Sequence, residues 1–119
     1  MTVPRWAPPV AWAALVLAVN SIPGSDLPGS LERVDKLLHF AAYATLGVLT
    51  ARALRATLPP FAAVSLAAAG GIAFGALDEW HQLFVPGRYP ELVDWYADAG
   101  GALLGAIAPF LAGPQRQPT

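Results

Sequence analysis

The distribution of charge is the strongest constraint on this chain, because the charged residues fall in clumps separated by four long runs without Asp, Glu, Lys or Arg. These runs are residues 6–22, 37–51, 56–77 and 99–115. Each run approaches the roughly 20 residues that a helix needs to cross a bilayer. They are rich in Ala, Leu and Gly and show no alternation of period two, which favours helices over barrel strands. The sequence therefore predicts an all-α, polytopic membrane protein with four transmembrane helices in a compact bundle.

The composition supports this prediction and excludes several function classes. Charged residues make up only 13% of the 119 residues, against about 25% in an ordinary soluble domain. A surface facing water on all sides would then carry large apolar patches, which soluble monomers rarely tolerate. Seven Lys plus Arg and a net charge of -1 give no basic patch for nucleic acid. The absence of cysteine excludes disulfides, a thiolate nucleophile and Cys-ligated metal sites.

Proline and glycine residues delimit the helices. They predict helices at about residues 9–22, 33–58, 60–83 and 92–111, within a single transmembrane domain over residues 1–112 that precedes a disordered polar tail at 113–119. The first run has the length of a signal peptide, but the small-x-small cleavage pattern is missing after it. Two G-x-x-x-G pairs, Gly71 with Gly75 and Gly101 with Gly105, predict close helix packing.

All the acidic residues are predicted to lie at one face of the membrane if the four helices alternate in direction. They are Asp26, Glu32, Asp35, Asp78, Glu79, Glu91, Asp94 and Asp98. The opposite face has Arg5, Arg52, Arg55 and Arg116, against Arg33, Lys36 and Arg88 on the acidic face. Because Lys and Arg favour the cytoplasmic side, this distribution predicts that both termini are cytoplasmic and that the acidic face is outside.

Within the acidic face, helical spacing places polar residues on shared stripes that predict a pocket. Asp35, His39 and Tyr43 follow one another at intervals of four residues; Asp78 and Glu79 lie four and three residues before Gln82, and Asp94 lies four before Asp98. Exposure of such groups to lipid is costly, so they are expected to face the bundle interior.

The charges of this pocket do not balance. Only Lys36 and Arg88 would oppose five carboxylates, those of Asp35, Asp78, Glu79, Asp94 and Asp98. The excess negative charge could be relieved in four ways: by bound protons, by a protonated His39 or His81, by a metal ion or cationic ligand, or by carboxylates that face water. Arg88 follows Pro86 and Gly87, and this tight turn is expected to aim its guanidinium at the carboxylates of the third and fourth helices.

Simpler interpretations exist for several of these residues. Asp94 is also suited to capping the fourth helix, and Asp35 with Lys36 to an interfacial anchor pair. His81 is expected to be interfacial. The aromatic residues of this face are typical of an aromatic belt at the membrane surface. They are Trp80, Tyr89, Trp95 and Tyr96.

Three motifs resemble those of the VanZ-like family of small bacterial membrane proteins. They are D-K-x-x-H-F at residues 35–40, E-x-x-Q-x-x-x-P-G-R at 79–88 and D-x-x-x-D-x-x-G at 94–101. The family often has Asn where this chain has Asp98. The resemblance implies a helical inner-membrane protein of the cell envelope, related to a teicoplanin-resistance protein, with a shared polar set. That set is Asp35, Lys36, His39, Glu79, Gln82, Arg88, Asp94 and Asp98.

Three functions are compared on this basis. The first is a non-enzymatic envelope protein that binds a lipid-linked, cell-wall-related or glycopeptide-like ligand, with membrane lipids as its partners. Its ligand-binding residues would be Asp35, Lys36, His39, Tyr43, Asp78, Glu79, Gln82, Arg88, Asp94 and Asp98. The second is a membrane-embedded hydrolase or transferase that uses His39, Glu79 and Asp98 as acid and base, with or without a divalent metal. The third, a proton-coupled transporter, ranks last because the cytoplasmic half has no acids. No other cofactor and no oligomeric state are predicted.

Overall fold

The computed structural model describes residues 3–29 and 34–111, and within these ranges the regular structure is entirely helical. Four α-helices are joined by short loops, one of which contains a single 3-10 turn at Gly24–Asp26. The helices are α1 (Ala7–Asn20), α2 (Asp35–Leu54), α3 (Pro60–Gln82) and α4 (Leu92–Leu111). The prediction of an all-α fold with four helices is therefore confirmed. The predicted tail at 113–119 lies outside the described residues.

The helix boundaries differ from the predicted ones at α1 and α2. α1 begins two residues earlier than predicted, since Pro8 and Pro9 fit within its first turn, where backbone N–H groups have no intrahelical partner. It ends at Asn20 because Pro23 follows. The predicted start of α2 at residue 33 lies outside the described residues, and Val34 is its N-cap. Its C-terminus is Leu54 rather than residue 58, and the N–H groups of Thr57 and Leu58 both donate to the Leu54 carbonyl in a turn that leads into Pro59.

The helices alternate in direction. Contacts between Lys36 and Asp94 place the start of α2 beside the start of α4, and a hydrogen bond from Asn20 to Asp78 places the end of α1 beside the end of α3. This end of the bundle is called the acidic end below, because the described Asp and Glu residues all lie at it. The Glu32 and Arg116 positions lie outside the described residues. Arg5, Arg52 and Arg55 lie toward the opposite end, as expected from the sequence.

Parallel helices α2 and α4 form the largest interface of the bundle. Their backbones meet through glycines: Gly101 faces the carbonyl of Phe40, and Gly105 faces the backbone of Ala44. On α3, Gly71 and Gly75 face α4 at Ala102 and Asp98. Both G-x-x-x-G pairs therefore pack helices closely, which confirms the compact bundle.

Two of the four helices, α2 and α3, are long and apolar enough to cross a membrane. At about 1.5 Å per residue, the 23 residues of α3 extend about 35 Å, which exceeds the roughly 30 Å of hydrocarbon in a bilayer. α1 is apolar but has 14 residues, and α4 has Asp94 and Asp98 in its first two turns. The number of helices thus agrees with the prediction, whereas only two of them qualify by themselves as membrane crossings.

Candidate functional site

Five polar side chains are buried at the acidic end, on the three helices that form the centre of the bundle. They are His39, Asp78, Gln82, Asp94 and Asp98. Asp98 is completely buried because α3 and α4 approach closely around it. A Cβ added to Gly75 of α3 would lie only 3.1 Å from the Cβ of Asp98, so glycine at position 75 permits this approach. Burial of carboxylates requires partners, so their hydrogen bonds define the site.

His39 lies between two carboxylates from different helices. Its Nδ1 is 2.7 Å from Oδ1 of Asp98 on α4, and its Nε2 is 3.6 Å from Oδ1 of Asp35 one turn earlier on α2. The first distance is that of a strong hydrogen bond, and the second is too long for one. The imidazole therefore links α2 to α4 directly and faces Asp35 with its other nitrogen.

Asp78 is held by two donors from other helices. The side-chain amide of Asn20 and the hydroxyl of Tyr43 both donate to its Oδ2, the latter over 3.3 Å. Tyr43 is completely buried and lies one turn after His39, as the predicted stripe requires. Asn20 was not among the predicted site residues. Its only local signal is an amide side chain next to Ser21 at the end of an apolar run.

Lys36 connects α2 to the beginning of α4. Its Nζ is 2.8 Å from Oδ1 of Asp94 and 3.0 Å from Oε2 of Glu91. Glu91 in turn donates its backbone N–H to Oε2 of Glu79 over 3.1 Å. The side chain of Lys36 therefore pairs across the helix interface rather than with the neighbouring Asp35, and it brings Glu91, which was not among the predicted ligand-binding residues, to the site.

Arg88 does not have the predicted direction. It was expected to point at the carboxylates of α3 and α4, but its Nε donates to the carbonyl of Ile22 over 2.9 Å and its Nη2 to that of Val19 over 3.2 Å. These carbonyls lie at and beyond the C-terminal end of α1, where the helix carries partial negative charge, which explains why they attract a guanidinium.

A glycine contact fixes the loop that carries Arg88. Gly87 has a φ of 73°, and the N–H of Gly24 donates to the carbonyl of Pro86 over 2.8 Å. A side chain on Gly24 would collide with the backbone of Gly87. The α3–α4 loop is thereby packed on the segment that follows α1, which places Arg88 beside the end of that helix.

Two adjoining pockets meet at His39. The apolar groove, about 270 Å³, lies between α1 and α2 and is lined mainly by Trp12, Leu15, Val16, Val19, Leu38 and Ala42. The polar pocket, about 530 Å³, lies at the acidic end and its lining includes Lys36, Gln82, Tyr89, Glu91 and Asp94. Both are lined by Leu27, Asp35, His39 and Arg88. Trp12 also donates its indole N–H to the carbonyl of Ala42 over 2.8 Å, which fixes α1 against α2.

Two sets of side chains at this site have a geometry suited to a metal ion, and both include His39. One set adds Asp35 and Asp94, and the other adds Glu79 and Asp98; in each set the ligand atoms lie within 4.8 Å of one another. The structure therefore brings together the three residues that the sequence analysis proposed as acid and base, and their role stays a prediction.

The aromatic residues of the acidic end are largely exposed, as expected of a belt. Trp80, Tyr89 and Tyr96 are exposed, whereas Trp95 is half-buried and donates its indole N–H to the carbonyl of Ile72 over 3.1 Å. His81, expected to be interfacial, has its Nε2 2.9 Å from the hydroxyl of Ser21 at the end of α1. One of the four belt residues thus also packs α4 against α3.

The comparisons with known proteins give one match. A model of the VanZ/LLP1 family matches residues 5–112, which include every helix and every site residue described above. No curated protein and no solved structure matches the chain. Because the matched segment covers well over half of the sequence, this chain belongs to the VanZ/LLP1 family.

Proposed function

We propose that this protein is a multi-pass membrane protein of the bacterial cell envelope that binds a lipid-linked or cell-wall-related ligand at its acidic end. The observation that carries the proposal is the contact between the apolar groove and the polar pocket, which share Asp35, His39 and Arg88 in their linings. An apolar site joined to a polar one matches a ligand with a hydrocarbon chain and a polar headgroup. The chain would occupy the groove, and the headgroup would occupy the pocket.

The polar pocket offers both signs of charge to such a headgroup. Lys36 is already paired with two carboxylates, so it would contact a ligand as part of that cluster. The hydrogen bonds of Arg88 within the described ranges use Nε and Nη2, and Nη1 has no acceptor among the described residues. A guanidinium with a free N–H donor is suited to a phosphate oxygen. These contacts favour a phosphate-containing headgroup.

Exposed apolar residues support membrane crossings by α1 and α4 in addition to α2 and α3. Val10, Leu15 and Leu17 of α1 and Leu103 and Leu104 of α4 are exposed, and water would make such surfaces unfavourable. The two carboxylates of α4 are buried against the bundle, so they do not face lipid. Trp6 precedes α1 and is exposed, which suits an indole ring in the headgroup region.

The topology is tested by single cysteines, for which the chain is well suited because it has none of its own. We expect Ser25→Cys and Tyr89→Cys, exposed at the acidic end, to react with a membrane-impermeant maleimide in intact spheroplasts. Val3→Cys and Ala56→Cys, exposed at the opposite end, should react only after lysis. A reversed pattern would show that the acidic end is cytoplasmic. Labelling of all four from outside would show that α1, α2 and α3 do not cross.

Filling the apolar groove should remove the ligand. Ala42 lines the groove, whereas its neighbour Ala41 is exposed on the outer surface of α2. We expect wild-type protein purified in mild detergent to retain a lipid that mass spectrometry detects. Ala42→Phe should retain at least about tenfold less of this lipid per chain, because the larger side chain fills the groove. Ala41→Phe is the matched control and should retain it. Equal lipid content in the two variants, or no retained lipid in the wild type, would contradict the proposal.

An enzyme is the second candidate, favoured by the buried carboxylates beside His39. His39 and Asp98 are within hydrogen-bonding distance, and a carboxylate oxygen of Glu79 lies within 4.8 Å of both. Such a group could transfer protons to and from water at a lipid-linked substrate. If wild-type protein releases inorganic phosphate or a free headgroup from the lipid that it retains, and Glu79→Gln retains the lipid intact, the enzyme replaces the binding protein as the better proposal.

A further inference from the structure

We propose that His39, Glu79 and Asp98 bind one divalent transition-metal ion. These three side chains come from α2, α3 and α4, and one ligand atom from each lies within 4.8 Å of the others. The proposal goes beyond the proposed function and does not rest on it, because it is argued from side chains alone and is tested without any lipid.

Unpartnered carboxylate oxygens are the observation that points to a cation. Oδ2 of Asp98, a residue with no exposed surface, accepts no hydrogen bond from the part of the chain that the structure describes. Oε1 of Glu79 is also buried without a partner. An orphaned carboxylate oxygen costs free energy, and buried charges are usually paired or bound to a metal. An ion held by these side chains would give both carboxylates the partner that they lack.

The described Lys and Arg side chains nearby do not neutralise these carboxylates. Lys36 is engaged by Asp94 and Glu91, and Arg88 is engaged by the carbonyls at the end of α1. Asp78 adds a third carboxylate to this part of the bundle, and its partners Asn20 and Tyr43 are neutral donors. A divalent ion would supply the positive charge that the nearby side chains lack.

The ligand atoms favour a transition metal over Mg²⁺ or Ca²⁺. One imidazole nitrogen with two carboxylates suits Zn²⁺, Mn²⁺ or Fe²⁺, whereas the harder ions prefer oxygen alone. Nδ1 of His39 would be the nitrogen ligand, and it would give up its 2.7 Å hydrogen bond with Asp98 when the ion binds. Nε2 then faces Asp35, an arrangement in which a carboxylate orients a metal-binding histidine.

The test uses the full chain in detergent, stripped with a chelator and dialysed against Zn²⁺ or Mn²⁺. We expect one ion per chain, measured by elemental analysis, and an absorption band of protein-bound Co²⁺ when that ion is substituted. Asp98→Asn keeps the shape of the side chain and should lower the affinity at least about 100-fold, since loss of an outer-sphere partner alone costs about 10–100-fold. Asp26→Asn, the same change at an exposed acid outside the four α-helices, is the matched control and should bind normally.

Each result decides the proposal. Wild-type protein that binds no Zn²⁺ or Mn²⁺ overturns it whatever the variants do. Equal affinities of Asp98→Asn and Asp26→Asn also overturn it, because the ion would then lie elsewhere. Thermal unfolding of the stripped variants shows whether Asp98→Asn is folded; if it is not, His39→Gln takes its place, and unchanged metal affinity in that variant overturns the proposal.

Discussion

Replacing Gly105 with alanine should destabilise the bundle by at least about 2 kcal/mol. Its added Cβ would collide with the backbone of Ala44, and α2 and α4 would have to separate along their whole interface. Overpacking of a tight core costs about 1–3 kcal/mol when side chains can adjust, and a backbone atom cannot rotate away. The free energy of unfolding, measured in detergent by denaturant titration, gives the effect.

Gly70→Ala is the matched control for this prediction. Gly70 is on α3, and a Cβ added there meets no other atom within 4 Å. Because alanine favours helix by about 1 kcal/mol over glycine, this variant should be as stable as the wild type or slightly more stable. If Gly105→Ala were equally harmless, α2 and α4 would be farther apart than the structure shows.

Replacing His39 with leucine should cost about 3–5 kcal/mol, because it leaves Asp98 completely buried without its imidazole partner. The variant is compared with wild-type protein in the presence of a chelator, so that metal binding does not contribute. His81→Leu is the matched control: His81 is half-buried and contacts the exposed Ser21, so its loss should cost less than about 1 kcal/mol.

A double variant separates the contact between His39 and Asp98 from general packing. In His39→Leu with Asp98→Asn the remaining amide carries no charge, so part of the lost stability should return. If the loss of stability in the double variant equals the sum of the two single losses within about 0.5 kcal/mol, the two side chains do not interact. That result would contradict the 2.7 Å contact.

Local sequence signals were sufficient to predict the four helices and the gathering of acidic residues at one end of the bundle. Each uncharged run produced one helix, because its apolar composition and flanking prolines act within a few residues. The alternation of directions then placed Asp35, Asp78 and Asp94 at one end without any knowledge of packing. The glycine pairs were also reliable, since a residue without a side chain three or four positions from another leaves one flat stripe on a helix.

Contacts between distant segments could not be predicted from such signals. The direction of Arg88 depends on Gly24 lying against Gly87, 63 positions later, and on carbonyls at the end of α1 that no local pattern reveals. The turn at Pro86 and Gly87 was recognised, but a turn does not specify which acceptor its arginine reaches. Asn20 was missed for the same reason, because its partner Asp78 is 58 residues away.

The position of the apolar groove on the side of the bundle determines how a ligand would reach His39. The groove runs between α1 and α2 past the exposed Leu15, Val19 and Leu38, and the described backbones of α1 and α4 are not neighbours. With the proposed membrane crossings, an amphiphile dissolved in the leaflet at the acidic end would enter sideways by diffusion in the plane of the membrane, without passing through water. Occupancy would follow the mole fraction of that lipid in the leaflet rather than its aqueous concentration. Measured binding would then fall when detergent or inert lipid dilutes the ligand at constant total amount.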